Sequence, residues 1–125
     1  MLLPLTHREA ELIEVVRIIA PARHLTSRSL EGETVGLWDG GEAREVFELI
    51  AALPAGERHR CFLPGWGIRA HGSAGPLFAI AFCFRCHGAR FWGPDLAADR
   101  RSQVFDGESP TARELLRRFR ACGSE

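Results

Sequence analysis

The chain contains no lysine, no asparagine and no tyrosine, a single glutamine (Gln103) and a single methionine (Met1). All 16 basic residues are therefore arginine. Coding bias in a GC-rich bacterial genome produces this, so the arginine count says little about function. The chain also lacks an excess of either charge, because 16 acidic residues balance the arginines. That balance excludes a general nucleic-acid or membrane-surface binder, which would carry a basic surplus. The longest uncharged apolar run, Gly72 to Phe84, falls short of the roughly 20 residues that a bilayer-spanning helix needs. The start, Met1-Leu2-Leu3-Pro4-Leu5-Thr6-His7-Arg8-Glu9, lacks the basic opening and long apolar stretch of a signal peptide. A cytoplasmic protein with its four cysteines reduced is the resulting expectation. Repeats, low-complexity tracts and linkers are absent, as are the nucleophile motif G-x-S-x-G and the metalloprotease motif H-E-x-x-H.

What is present is ordinary for one globular domain spanning 1–125: 46% hydrophobic and 26% charged residues. A domain of this length can bury a core without a metal or disulfide. Thr6-His7-Arg8-Glu9 has the form of a capping box. The β-branched run from Ile13 to Ile19 predicts a strand, in competition with one helix over 7–20. Residues 21–32 read as a loop and Thr34–Trp38 as a short strand. Asp39-Gly40-Gly41-Glu42 predicts the start of a helix over about 39–53, with Val46, Leu49, Ile50 and Leu53 on its core face. Ser109-Pro110 predicts a second helix over about 109–121, buried through Ala112, Leu115, Leu116 and Phe119, with Gly123 in the C-terminal cap position.

Between the helices, about 60–70 and 77–91 read as two strands of a central antiparallel hairpin, and Gln103–Phe105 as a further short strand. A turn at Ser73–Ala74 would set Cys61 opposite Cys86, Leu63 opposite Phe84 and Gly67 opposite Ile80. One face would then hold Cys61, Leu63, Phe78, Ile80, Phe82, Phe84 and Cys86. The other would hold Phe62, Trp66, Ile68, Ala79, Ala81 and Cys83. Cys83 would point away from Cys86 unless the chain bulges at Phe84 or Arg85. The expected class is α+β, with a small, mainly antiparallel sheet and two helices.

The cysteines are the candidate chemistry. Cys83-Phe84-Arg85-Cys86-His87 fits the c-type haem attachment pattern. No second axial ligand or helical setting accompanies it, so no haem is expected. Cys83-x-x-Cys86-x-Gly88 has the spacing of a zinc knuckle, and His59 and Cys61, two apart on a strand, or His87 could complete a site. Against the metal set of Cys61, Cys83, Cys86, His59 and His87 stand three readings. The sulfurs are buried core filler, or Cys61 and Cys86 form a reversible disulfide, or Cys83 and Cys86 do thiol redox work. None of the five histidines (His7, His24, His59, His71, His87) accompanies a nucleophile motif. Trp66, between two glycines, and Arg113, Arg117 and Arg120 on the second helix are candidates for contact with a partner protein.

Cys61-Phe62-Leu63-Pro64-Gly65-Trp66-Gly67-Ile68-Arg69 followed by Phe82-Cys83-Phe84-Arg85-Cys86 resembles small bacterial proteins of uncharacterised activity. In these, C-F-x-P-x-x-G-[IL]-R precedes a strand ending C-F-x-C. The chain departs from that pattern at Gly65-Trp66, where Arg-His is expected. The resemblance implies the hairpin and no activity. Balanced charge, three tryptophans and no catalytic motif point to a non-enzymatic partner-binding protein of accessory or immunity type. The alternative is a zinc or thiol-redox protein.

Overall fold

The computed structural model describes residues 1–21, 29–57, 61–94 and 96–123. Six strands form one antiparallel sheet: β1 Leu12–Arg17, β2 Glu33–Asp39, β3 Trp66–Gly72, β4 Gly75–Cys83, β5 Gly88–Trp92 and β6 Ser102–Val104. Their order across the sheet is β2-β1-β3-β4-β5-β6. Two helices, α1 Gly40–Ala52 and α2 Pro110–Gly123, pack on each other and on β1 and β2. The fold is the expected small α+β arrangement. Among the described residues no helix is long and apolar enough to cross a membrane.

The strand reading of the first apolar run holds. Val15 and Val16, stiff at χ1, sit in extended backbone with Ile13. A short 3₁₀ helix, Leu5–Glu9, precedes them. It begins at Leu5, after Pro4, so Thr6 lies inside it and the proposed capping box is not formed. At α1 the start is placed correctly, but the Asp39 side chain makes no cap hydrogen bond. The buried face of α1 is Ala43, Val46, Phe47 and Ile50. Val46, Ile50 and Leu53 are buried as expected, but Phe47 takes the core position assigned to Leu49, because the buried stripe begins one turn earlier, at Ala43. Ser109 caps α2 as expected, its Oγ accepting the Ala112 N–H at 3.2 Å, and the helix runs through Gly123. Most of the loop expected over 21–32 lies outside the described residues.

The hairpin differs from expectation in three ways. β3 begins only at Trp66, and Cys61–Gly65 is irregular. The run from Leu77 to Phe91 is two strands, broken by a turn at Phe84–His87. The register also shifts between Ala70 and His71. At the tip Gly72 faces Gly75, but beyond the bulge Ile68 faces Ile80 and Trp66 faces Phe82. A one-residue slip moves every side chain to the opposite face. Trp66 and Ile68 therefore join Phe78, Ile80 and Phe82 beneath the helices, and not Ala79 and Ala81.

Ile13, Val15, Ile68, Ile80 and Phe82 from the sheet meet Val46, Ile50, Leu115 and Phe119 from the helices in the main core, all completely buried. The face turned away from α1 and α2 carries a smaller cluster of Val16, Ile18, Leu30 and Ala81, with Phe62, Ala79 and Trp92 against it. Leu30 lies flat on the sheet at Gly67, where a Cβ would come within 2.9 Å of its methyls and 2.8 Å of the Ile80 carbonyl oxygen.

A polar network borders this smaller cluster. Glu14 on β1 accepts from Arg69 Nη1 at 2.7 Å, pairs with His71 Nε2 at 3.0 Å and accepts the Thr34 hydroxyl. Arg69 Nη2 also holds the Leu30 carbonyl at 2.9 Å. Burial pushes the Glu14 carboxyl upward, but the bonds from Thr34, His71 and Arg69 outweigh it and hold the group below its usual 4.5. A depressed folded-state value contributes stability above the ordinary pKa and loses it as pH falls through the folded value. Glu14→Gln is therefore expected to lower stability by about 1–2 kcal/mol at neutral pH. The gap to the parent should close as pH drops below 4.5, as followed by thermal unfolding against pH. A gap that stays constant with pH would refute this account.

Candidate thiol–disulfide site

β4 stays extended to Cys83 because its apolar residues are buried on both faces. There Phe84-Arg85-Cys86-His87 turns the chain back into β5. His87 completes the turn with φ of 56°, in the left-handed region, and Gly88 opens the next strand. The turn corrects the expectation that Cys83 points away from Cys86: Cys86 N–H donates to Cys83 Sγ at 3.3 Å.

Cys86 is bonded to Cys61, with a Cα–Cα distance of 5.7 Å. Strand register sets these two residues opposite each other and leaves a disulfide as one open reading, yet neither lies in a strand. The turn and the irregular Cys61–Gly65 segment bring them together instead. The expectation of four reduced cysteines is not met at this pair. Exposure is uneven across the site. Cys61 is open to solvent, whereas Cys83 and Cys86 are 2% and 4% exposed. Cys83 is a free buried thiol.

The surroundings hold the turn from three sides. Phe84 packs against Phe82, Phe105 and Phe119 at ring-centre distances of 5.9, 5.6 and 6.2 Å. The His87 carbonyl accepts the Phe105 N–H at 3.0 Å, and its Nδ1 accepts the Gly107 N–H at 2.9 Å. Gly107 sits so close that a Cβ there would lie 2.1 Å from the Phe84 carbonyl oxygen. On the far side of His87 a groove of about 610 Å³ opens, lined by Glu57, Asp106 and Glu108. Gly65 N–H donates to the Phe82 carbonyl at 3.3 Å, and the Gly65 carbonyl accepts from Ile18, anchoring the segment after Cys61.

Of the proposed metal set, Cys61 and Cys86 have their sulfurs bonded to each other, and His87 Nδ1 is occupied by Gly107. His59, like His24, lies outside the described residues. Among the described residues no three His, Cys, Asp or Glu side chains converge as metal ligands do. Cys122 stands apart, on α2 against Gly36 of β2, where burial pushes its thiol up.

The proposed partner residues are not brought together. Trp66 stacks on Phe119 at 5.6 Å and 12° on the buried side of α2. Arg113, Arg117 and Arg120 lie on its solvent side, with Arg117 chelating Glu114 at 2.8 and 2.6 Å. The Glu14–Arg69–His71 network was missed. Its signal was a lone acid in one apolar strand and two basic residues two apart in another. No protein-family model, curated protein or solved structure matches this chain, so what the site can do is read from its own atoms.

Proposed function

We propose that the chain works through thiol–disulfide exchange at Cys61, Cys83 and Cys86. The observation that carries this reading is the 3.3 Å hydrogen bond from Cys86 N–H to Cys83 Sγ. It sets a free thiol next to the turn that carries one end of a disulfide, one hydrogen bond from the Cys86 backbone. In the exchange Cys83 gives its proton to water and its sulfur attacks Cys86 Sγ. A Cys83–Cys86 bond forms, the Cys61–Cys86 bond breaks with its electron pair on Cys61, and Cys61 takes up a proton. Nothing is oxidised or reduced overall. A free thiol has moved from a buried position to the exposed one, where it can attack an external disulfide. In the reverse sense an external thiolate enters at Cys61.

A cytoplasmic setting agrees with this reading. Reductants there keep structural disulfides from persisting, and those that form are transient and tied to catalysis or sensing. The exchange asks for no metal or other cofactor.

Acid quenching, alkylation and mass mapping of the free thiols test the reading. Native protein held at mildly alkaline pH is expected to yield two isomers, one with Cys83 alkylated and one with Cys61 alkylated. Cys83→Ser should retain only the Cys61–Cys86 form. Finding Cys83 as the sole alkylated member of the three under every native condition would overturn the proposal.

A further inference from the structure

We infer that the Cys61–Cys86 bond is the latch on a movable cover over the sheet face turned away from α1 and α2, so that opening the bond exposes an apolar surface. The inference rests on the thiol–disulfide reading for its trigger, and on independent observations for its geometry. Neither α1 nor α2 lies on the side of the sheet that carries Val16, Ile18 and Ala81, yet all three are buried. Among the described residues, two irregular segments contribute to their cover, through Leu30 and Phe62.

The two segments are fastened differently. Leu30 is held by an electrostatic clamp, since its carbonyl accepts from Arg69, which Glu14 holds in place. Gly67 leaves room for it. That clamp does not depend on redox state. Phe62 follows Cys61 directly and is itself only half buried. On its C-terminal side the chain is anchored at Gly65, by its bonds with Phe82 and Ile18. On its N-terminal side the described fastening is the disulfide to Cys86. With the bond closed, Phe62 is held between two fixed points and lies against the sheet beside Gly88, where a Cβ would approach its ring to 3.6 Å. With the bond open, the described hold on Cys61–Leu63 is on the C-terminal side alone, at the buried Pro64 and at Gly65. Leu63, already 55% exposed, gives that strap little to hold it down.

The chemistry at the latch and the exposure of the face thus share one residue pair. Exchange that passes the bond to Cys83–Cys86 frees Cys61, and reduction by an external dithiol frees it equally. Either route releases Phe62 from the cluster it packs against, while the main core beneath the helices keeps its own contacts.

Three proteins decide the matter: the parent, Cys61→Ser and Phe62→Ala. Binding of the dye 8-anilinonaphthalene-1-sulfonate reports the apolar surface. Hydrogen exchange at Ala81 and Phe82 reports the local cover, and exchange in α2 reports the main core. Oxidised parent should bind little dye. Dithiothreitol-reduced parent and Cys61→Ser should each bind several-fold more, with faster exchange near Ala81 and unchanged exchange in α2. Phe62→Ala should bind dye to the same raised level whether oxidised or reduced. Equal dye binding by oxidised parent and Cys61→Ser would overturn the latch, as would faster exchange spreading through α2. Because Cys61→Ser opens the latch without any exchange, its result stands whether or not the thiol mapping finds two isomers.

Discussion

Phe119→Ala is expected to remove about 3–5 kcal/mol of stability, the range for deleting a buried aromatic ring. For a domain whose whole stability is of the order of 5–15 kcal/mol, that is a large fraction. Phe119 is completely buried. Its ring lies 5.5 Å from Trp38, 5.6 Å from both Trp66 and Phe82, and 6.2 Å from Phe84. One side chain therefore joins α2 to three strands and to the cysteine turn. The neighbours are rigid rings on different elements, so they cannot collapse into the void together, and the cavity penalty adds to the lost burial. Urea unfolding should show the loss as a lower midpoint with little change in slope. Phe119→Leu, which keeps most of the volume, should lose markedly less. A loss under about 1 kcal/mol for the alanine variant would mean that α2 is not seated on this ring cluster.

Gly107→Ala should cost about 2–4 kcal/mol for the addition of one methyl group, by forced overpacking and loss of hydrogen bonds. The added carbon would meet the Phe84 carbonyl oxygen at 2.1 Å and its carbon at 3.1 Å. Both are backbone atoms, so no side chain can swing aside. The loop must withdraw, and the bonds from Gly107 N–H to His87 Nδ1 and from Phe105 N–H to the His87 carbonyl stretch or break. Gly41→Ala is the matched control. Nothing lies within 4 Å of its added carbon, and alanine in the first turn of α1 should leave stability unchanged or slightly raised. The Gly107 variant should also let an alkylating reagent reach Cys83 faster, because the same loop backs the turn. Equal stability of the two glycine variants would refute the close docking of residues 105–107 on Phe84.

Residues with a strong local preference were legible in the sequence. Ser109-Pro110 marked a helix start because a hydroxyl cap and a fixed φ act within a few residues of each other. Ile13, Val15 and Val16 marked a strand because β-branched side chains are stiff. The hairpin tip was legible from Gly72–Gly75, but not the bulge beside it. Nothing local to Ala70 and His71 announces an extra residue, and that bulge alone moved Trp66 from the expected face to the other. The break at Phe84–His87 was hidden by apolar continuity: Phe82, Phe84 and Phe91 read as one strand. Phe84 is apolar for a different reason, since it plugs the ring cluster from inside a turn. The Cys61–Cys86 pairing was among the open readings, although the route to it through register was not the one the chain takes.

The order of strands carries a consequence for how the chain reaches this fold. β1 sits between β2, which follows it closely, and β3, which arrives only after α1 has been made. Arg17 must find Trp66, and Leu12 must find His71, across the whole intervening helix and loop. Closing so long a loop before its contacts form is entropically uphill, and non-local pairing of this kind slows folding. A nascent chain halted before Trp66 would hold the β1–β2 ribbon with one long margin still waiting for its neighbour. Its buried valines would be the surface most exposed to the wrong partner during synthesis.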